Sequence, residues 1–268
     1  MKKQLYLFAL VVSSTVCMDQ VRGQDTVQLD LSSGWLRRDW EDCEGPARLV
    51  LEDEIATIEG GASKVLFWQI PSRSGRPVEI DPDQKWVRHC KRPPKRFAKK
   101  IPKLDQDGEI LLHVSEYPYI SWEWWVEETG GDTANVHRKN QGQIQDFVTT
   151  LGISIIDEKN GDLREVAYVL SRTLPEETVK AAKTTVIPFL WVFKWYRFVV
   201  ATGDGSAGHW RAYARDLRVD YKKGYRKGEP GQIVRIYLKI GANHGRESIK
   251  ASFARIQFHS REPEGFAE

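Results

Sequence analysis

Short runs of alternating apolar and polar residues, most of them closed by Gly, Pro, Asn or Asp, recur along the chain. Alternation with a period of two sends successive side chains to opposite faces of a strand. It predicts strands at 25–31, 48–51, 54–59 and 63–70, with Gly60-Gly61 as a hairpin turn between the last two. The pattern strengthens at 110–114 and 119–126. There Ile120, Trp122, Trp124 and Val126 make one wholly apolar face, and Tyr119, Ser121, Glu123 and Trp125 a mixed one. Residues 147–156 and 164–171 form a predicted strand pair around Lys159-Asn160-Gly161-Asp162. An aromatic strand covers 189–202, and strands at 233–240 and 249–258 close the chain. Helical character is confined to a turn or two at 176–183 and to 211–223. In the latter, Trp210, Tyr213, Ala214, Leu217 and Tyr221 recur at helical spacing. Many strands, Gly-rich turns and one amphipathic helix predict a mainly β chain built as a β-sandwich.

Two segments fall outside this pattern and change the reading of charge. Met1-Lys2-Lys3, an apolar run from Leu5 to Val16, and Val21-Arg22-Gly23 have the layout of a secretory signal peptide cleaved near Gly23. The apolar run is shorter than the roughly 20 residues of a membrane span. The full chain carries 40 basic and 37 acidic side chains; removal of residues 1–23 leaves 37 against 36. A near-neutral remainder gives no compositional support for a nucleic-acid partner. The one other long apolar run, 186–200, is interrupted by Pro188, Lys194 and Arg197, so no transmembrane segment is expected in the mature chain. The chain is thus expected to be periplasmic or secreted, with residues 24–268 as a single sandwich domain. Two of the three cysteines then remain, Cys43 and Cys90, and an even pair in an exported chain predicts a disulfide, two buried thiols being the alternative. The second segment, 71–108, holds six prolines and reads as an insertion. Between 85 and 103 it carries nine Lys and Arg and no acid, so it either contacts water alone or docks on an acidic surface.

Several motifs occur in a recognisable order: Ile120-Ser121-Trp122-Glu123-Trp124-Trp125-Val126, then Tyr168-Val169-Leu170-Ser171. Trp210 follows, with Arg215-Asp216-Leu217-Arg218-Val219-Asp220-Tyr221, and last come the strands at 233–241 and 251–258. In this order they resemble a bacterial exported family known as domain of unknown function 3047. The resemblance covers just over half of the chain and implies a jelly-roll sandwich similar to galactose-binding-like modules, with no established activity. Two departures stand out. The family's paired acids fall near 140–146, where only Asp146 is acidic, and its Asp-rich loop becomes Ala242-Asn243-His244-Gly245-Arg246-Glu247. A hard-cation site made of carboxylates would have lost most of its ligands here, so neither a metal nor another cofactor is expected.

The six histidines are scattered without zinc-ligand spacing, and no Gly-x-Ser-x-Gly occurs; Gly203–Gly208 lacks the Lys-Ser or Lys-Thr of a phosphate loop and reads as a turn. Three function classes remain. The first is glycan binding, which needs an exposed flat aromatic for the apolar face of a sugar and polar groups for its edges. Trp125 with Glu123 and Tyr119 meets this on one strand face, and Trp210 with His209 is a second candidate. Of the ten tryptophans, Trp122 and Trp124 are assigned to the core, together with Trp68, Trp191 and Trp195. The second class is a jelly-roll polysaccharide lyase acting on uronate-containing glycans. Tyr237 would move the C5 proton, Lys239 would neutralise the carboxylate, and His244 lies shortly after; alternation alone makes Tyr237 and Lys239 a solvent-facing stripe. The third is a structural envelope protein in which Asp216 and Asp220 anchor the helix. The favoured reading is non-catalytic binding of a carbohydrate or envelope component.

Overall fold

The computed structural model describes residues 25–39, 48–60, 65–79, 111–127, 147–171, 174–187, 191–202, 207–240 and 249–264. Its strands in chain order are β1 (Thr26–Gln28), β2 (Leu36–Asp39), β3 (Arg48–Glu52), β4 (Ile55–Gly60), β5 (Val65–Gln69), β6 (Tyr119–Val126) and β7 (Phe147–Asp157). They continue with β8 (Leu163–Ser171), β9 (Val179–Ile187), β10 (Trp191–Thr202) and β11 (Arg211–Asp216). The helix α1 (Leu217–Gly224) precedes β12 (Pro230–Ile240) and β13 (Ile249–His259).

These strands make two sheets packed as a jelly-roll β-sandwich. The six-stranded sheet runs β11-β6-β13-β4-β3, with β1 also paired to β13. The seven-stranded sheet runs β2-β5-β12-β7-β8-β10-β9. Pairing is antiparallel throughout except between β8 and β10. That pair is parallel because the chain leaves β8, forms the edge strand β9, and returns to insert β10 between the two.

Alternation explains why the sheets meet where they do. Ile120, Trp122, Trp124 and Val126 on β6 are all buried in the main core, as their spacing predicts. They face Leu151, Ile153 and Ile155 of β7 and Val166, Tyr168 and Leu170 of β8, which also belong to that core. Trp122 stacks on Tyr168 at 4.8 Å and on Tyr213 at 5.5 Å, so aromatic rings bridge the two layers. A second apolar cluster, including Leu66, Trp68, Ile70 and Tyr237, lies on the other face of the seven-stranded sheet. Trp68 is therefore buried, but outside the inter-sheet core.

The predicted pair 147–156 and 164–171 is the β7–β8 hairpin. Four other expectations are corrected. Gly60-Gly61 does not join a hairpin, because β4 and β5 lie in different sheets. The hairpin is β3–β4, closed by Asp53 and Glu54, both in the left-handed region (φ 47° and 62°). The pair lacks the Asn-Gly signature of such a turn. The double substitution Asp53→Asn/Glu54→Gly, which supplies that signature, is expected to stabilise the fold by about 1 kcal/mol. Chemical denaturation measures this, and an unchanged or lowered midpoint would count against the turn conformation.

Residues 176–183 do not form a helix. Val179–Ile187 is β9, whose Glu-, Lys- and Ala-rich surroundings have helical propensity that pairing with β10 overrides. The predicted helix at 211–223 divides in two. Arg211–Asp216 pairs with β6 as an edge strand, and only Leu217–Gly224 is helical. Asp216 ends the strand and starts the helix by accepting hydrogen bonds from the backbone N–H of Arg218 (2.8 Å) and Val219 (3.1 Å). The 110–114 strand is reduced, among described residues, to isolated bridges from Leu111 to Ser72 and from His113 to Gln232.

Inside α1, Asp220 is buried and accepts two hydrogen bonds from Arg215, each 2.9 Å. Burial works against the charge on Arg215, yet bonds to Asp220 and Glu177 push its pKa up. Asp216 and Asp220 thus have architectural roles, as a cap and as the anchor of a buried ion pair. Among the described residues no helix is long and apolar enough to cross a membrane. Residues 1–23, for which a signal peptide is expected, Cys43, Cys90, the basic run at 85–103 and His244 lie outside the described residues.

Candidate functional site

The outer face of the six-stranded sheet carries the residues predicted for glycan contact. On β6, Tyr119, Glu123 and Trp125 are half-buried and point away from the core that Trp122 and Trp124 fill. The edge strand β11 runs antiparallel to β6, with Arg211 opposite Trp124 and Ala212 opposite Glu123. The pairing ends at Arg211, and Trp210 immediately precedes it. The N–H of Gly208 donates to the carbonyl of Val126 at 2.8 Å, which keeps the segment before β11 beside the end of β6. Trp125 and Trp210, far apart in sequence, therefore lie near the same end of β6. Trp210 is 43% exposed, and is the one exposed aromatic among the large apolar side chains that stand exposed in the described residues.

Polar groups border this pair. Glu123 forms an ion pair with Arg255 at 2.8 Å. Arg211 donates to the His209 ring at 3.2 Å. Tyr119 sits farther along the strand, where Arg218 lies over its ring at 5.4 Å and donates to its hydroxyl at 3.3 Å. Tyr119 is thus tied to the start of α1, away from the end of β6 where Trp125 and Trp210 lie, and Arg211, opposite Trp124 and beside Tyr213, carries the His209 ring to the core side of the sheet.

The face of the seven-stranded sheet turned away from the core carries a different constellation. Cross-strand register aligns Arg235, Ser154, Glu165 and Trp195 in one row over β12, β7, β8 and β10. Trp195 is half-buried in that row rather than placed in the inter-sheet core. The next row is Trp68, Tyr237, Gly152, Ala167 and Arg197. Tyr237 and Lys239 do share this face, but a solvent-facing stripe is not what forms. Tyr237 and Arg235 are buried and Lys239 is only half-exposed, because β12 is a central strand flanked by β5 and β7.

Glu165 organises the cluster. It accepts a hydrogen bond from the Tyr237 hydroxyl and an ion-paired bond from Arg235 Nη2 at 3.2 Å. Arg235 Nε donates to Ser154 Oγ at 3.0 Å. Gly152 makes the arrangement sterically possible: a Cβ there would lie 1.9 Å from Cζ of Tyr237. Only the absence of a side chain lets the phenol lie across β7 toward Glu165. Burial, reinforced by Glu165, pushes the Tyr237 phenol well above its ordinary pKa. The phenol is therefore a neutral donor to the carboxylate. Desolvation lowers the pKa of Arg197 in the same layer.

Sequence reasoning missed Glu165, Arg235, Ser154 and Gly152. The available signal was the polar i, i+2, i+4 set Arg235, Tyr237 and Lys239 inside an otherwise apolar strand. The partners of that set lie about 70 to 80 residues away, so their convergence is a property of register alone. Among the described residues no group of three or more His, Cys, Asp or Glu side chains is placed to hold a metal ion.

Among solved structures, the chain is similar to the xyloglucanase domain of NopAA, a type three effector from Sinorhizobium fredii. Identity is 9%, with 85% of this chain and 91% of that one covered and a TM-score of 0.42. It is also similar to the family 30 carbohydrate-binding module of the cellulosomal cellulase Cel9D-Cel44B of Clostridium thermocellum, with 12% identity, coverage of 89% and 99%, and a TM-score of 0.39. A third is endoglucanase Cel12A from Rhodothermus marinus, with 8% identity, coverage of 87% and 96%, and a TM-score of 0.39. No curated protein matches the chain. Residues 108–257, more than half of the sequence and the part that holds β6 through most of β13, match the family described as protein of unknown function (DUF3047), and the chain belongs to that family.

Proposed function

We propose that the protein binds carbohydrate without catalysis, using the Trp125–Trp210 end of the six-stranded sheet as its contact face. The observation that carries this reading is the exposure of Trp210 near the end of β6, where Trp125 points away from the sandwich core. An indole left in water gives up the stabilisation that burial would supply, of order 2–3 kcal/mol for a large side chain. A sugar ring recovers it, because the C–H face of a pyranose lies flat on an aromatic ring while its hydroxyls reach polar neighbours. Glu123 and Arg255, already oriented by pairing with each other, are such neighbours on the outer face. The ligand class is a glycan of the cell envelope or its surroundings, consistent with the export signal read from residues 1–23.

A glycan array followed by titration of the bound glycan tests this. Trp210→Ala is expected to weaken binding at least about tenfold, the effect of removing a central aromatic contact, with an unchanged circular dichroism spectrum. Trp125→Ala is expected to weaken it as well. Absence of any bound glycan, or unchanged affinity in both variants, would sink the reading.

A further inference from the structure

An open cavity of about 620 Å³ lies at the far edge of the seven-stranded sheet, well within the size of a small-ligand site. Three elements bound it: the end of α1 and the turn after it, the β7–β8 hairpin, and the edge strand β9 with its neighbour β10. Its apolar part includes Tyr196, half-buried on β10, with Ala181 opposite it and Val179 two residues away on β9. Val179 is 37% exposed, one of three large apolar side chains left that open among the described residues.

The charged lining is one-sided. Arg164, Lys223, Arg226 and Lys227 face a single carboxylate, Asp157. Asp157 is buried and already engaged, accepting from the Tyr221 hydroxyl at 2.8 Å and from the backbone N–H of Lys159 at 3.0 Å. Lys223 is 3.7 Å from Asp220, and Arg164 Nη2 is bonded to Asp162 at 2.8 Å. Arg226 and Lys227 are exposed on the turn after the helix and have no carboxylate partner among the described residues. The Nε of Arg164, whose guanidinium lies over the Tyr225 ring at 5.1 Å, is a buried donor without a hydrogen-bond partner there. It stands 3.7 Å from the Asp157 carboxylate, an ion-pair distance beyond hydrogen-bond reach. A buried donor of this kind is costly unless something accepts from it.

We propose that this cavity binds a carboxylated sugar, a uronate unit within a glycan. The apolar floor of Tyr196 and Val179 suits the C–H face of a pyranose, and the surplus of Arg and Lys suits its carboxylate. A neutral sugar leaves Arg226 and Lys227 unmatched, and a bare inorganic anion leaves the floor unused. The ligand class rests on the carbohydrate reading above, but the residues are separate from the Trp face, and the two can fail independently.

Calorimetric titration of the full chain with galacturonate oligomers, neutral galactose oligomers and inorganic phosphate tests the proposal. The variants are Arg226→Ala/Lys227→Ala, both exposed, and Trp210→Ala. Galacturonate oligomers are expected to bind the parent and Trp210→Ala alike. Arg226→Ala/Lys227→Ala should weaken them at least about tenfold, the scale of losing one charge-assisted hydrogen bond, at an unchanged thermal midpoint. Added salt should also weaken them. No uronate binding, affinity unchanged in the double variant, binding lost in Trp210→Ala, or phosphate bound as tightly as the oligomer would each overturn the proposal. Binding of neutral oligomers to the Trp face would bear on the previous reading alone.

Discussion

Arg235→Ala is expected to destabilise the protein by about 3–5 kcal/mol, as breaking a buried ion pair on one side does. Arg235 and Glu165 are both buried, 3.2 Å apart, on a central strand and its second neighbour in the seven-stranded sheet. Their mutual attraction offsets the cost of taking two charges out of water. With Arg235 gone, Glu165 keeps the Tyr237 hydroxyl as a donor but loses its counter-charge, and Ser154 loses its partner at 3.0 Å. The companion measurement is the double variant Arg235→Met/Glu165→Leu. It removes both charges while filling similar volume, and should recover most of the loss. Urea denaturation of the parent, the single and the double variant decides the matter. A single variant within about 1 kcal/mol of the parent would show that solvent reaches the pair and that the cluster is not a buried network.

Trp124→Ala should cost a similar amount, about 3–5 kcal/mol, for a different reason: it opens a cavity the size of an indole in the main core. Trp124 is fully buried, with Trp122, Tyr213 and Phe253 rings at 5.7, 4.9 and 6.2 Å. Those rings are held by three different strands and cannot all move into the space. Trp125→Ala, the next residue along, is the control. It removes a half-buried ring from the outer face and should cost about 1 kcal/mol or less. Equal losses at the two positions would mean that the alternation of β6 does not separate core from surface.

The contrast between Trp124 and Trp125 is also what was readable in advance. Alternation along 119–126 identifies which indoles are core because a strand allows two directions only, and one of them is wholly apolar here. The β7–β8 hairpin was legible for a similar reason, since a four-residue polar turn separates two apolar runs that pair locally. Local signals failed where non-local pairing decided the outcome. Residues 176–183 favour a helix by composition, but the exposed edge of β10 recruits the segment that follows as a strand. Tyr213 and Leu217 lie one helical turn apart, yet Arg211–Asp216 is drawn onto β6 because Tyr213 packs on Trp122 and Trp124. The turn at Asp53-Glu54 was hidden because its backbone conformation is one that its residues do not advertise.

The candidate sites divide in the same way. Glu123, Trp125, His209 and Trp210 could be named from residue type, but not that the segment holding His209 and Trp210 runs along the end of β6 that holds Trp125. That proximity follows from the register of β11 on β6. The Glu165 cluster was invisible from sequence, because it depends on the register of four strands and on a glycine that leaves room for a tyrosine. Residue order alone identifies the mainly β class, the family, the buried face of β6 and the near-neutral charge left after residues 1–23. Strand order, the division of 210–224 into strand and helix, the buried Glu165–Arg235 layer and the cation-lined cavity were decided only by the tertiary structure. The physical reason is that alternation and turn chemistry act within a few residues along the chain, whereas register joins residues many tens of positions apart. Its energy resides in contacts that exist only once the sheets have formed.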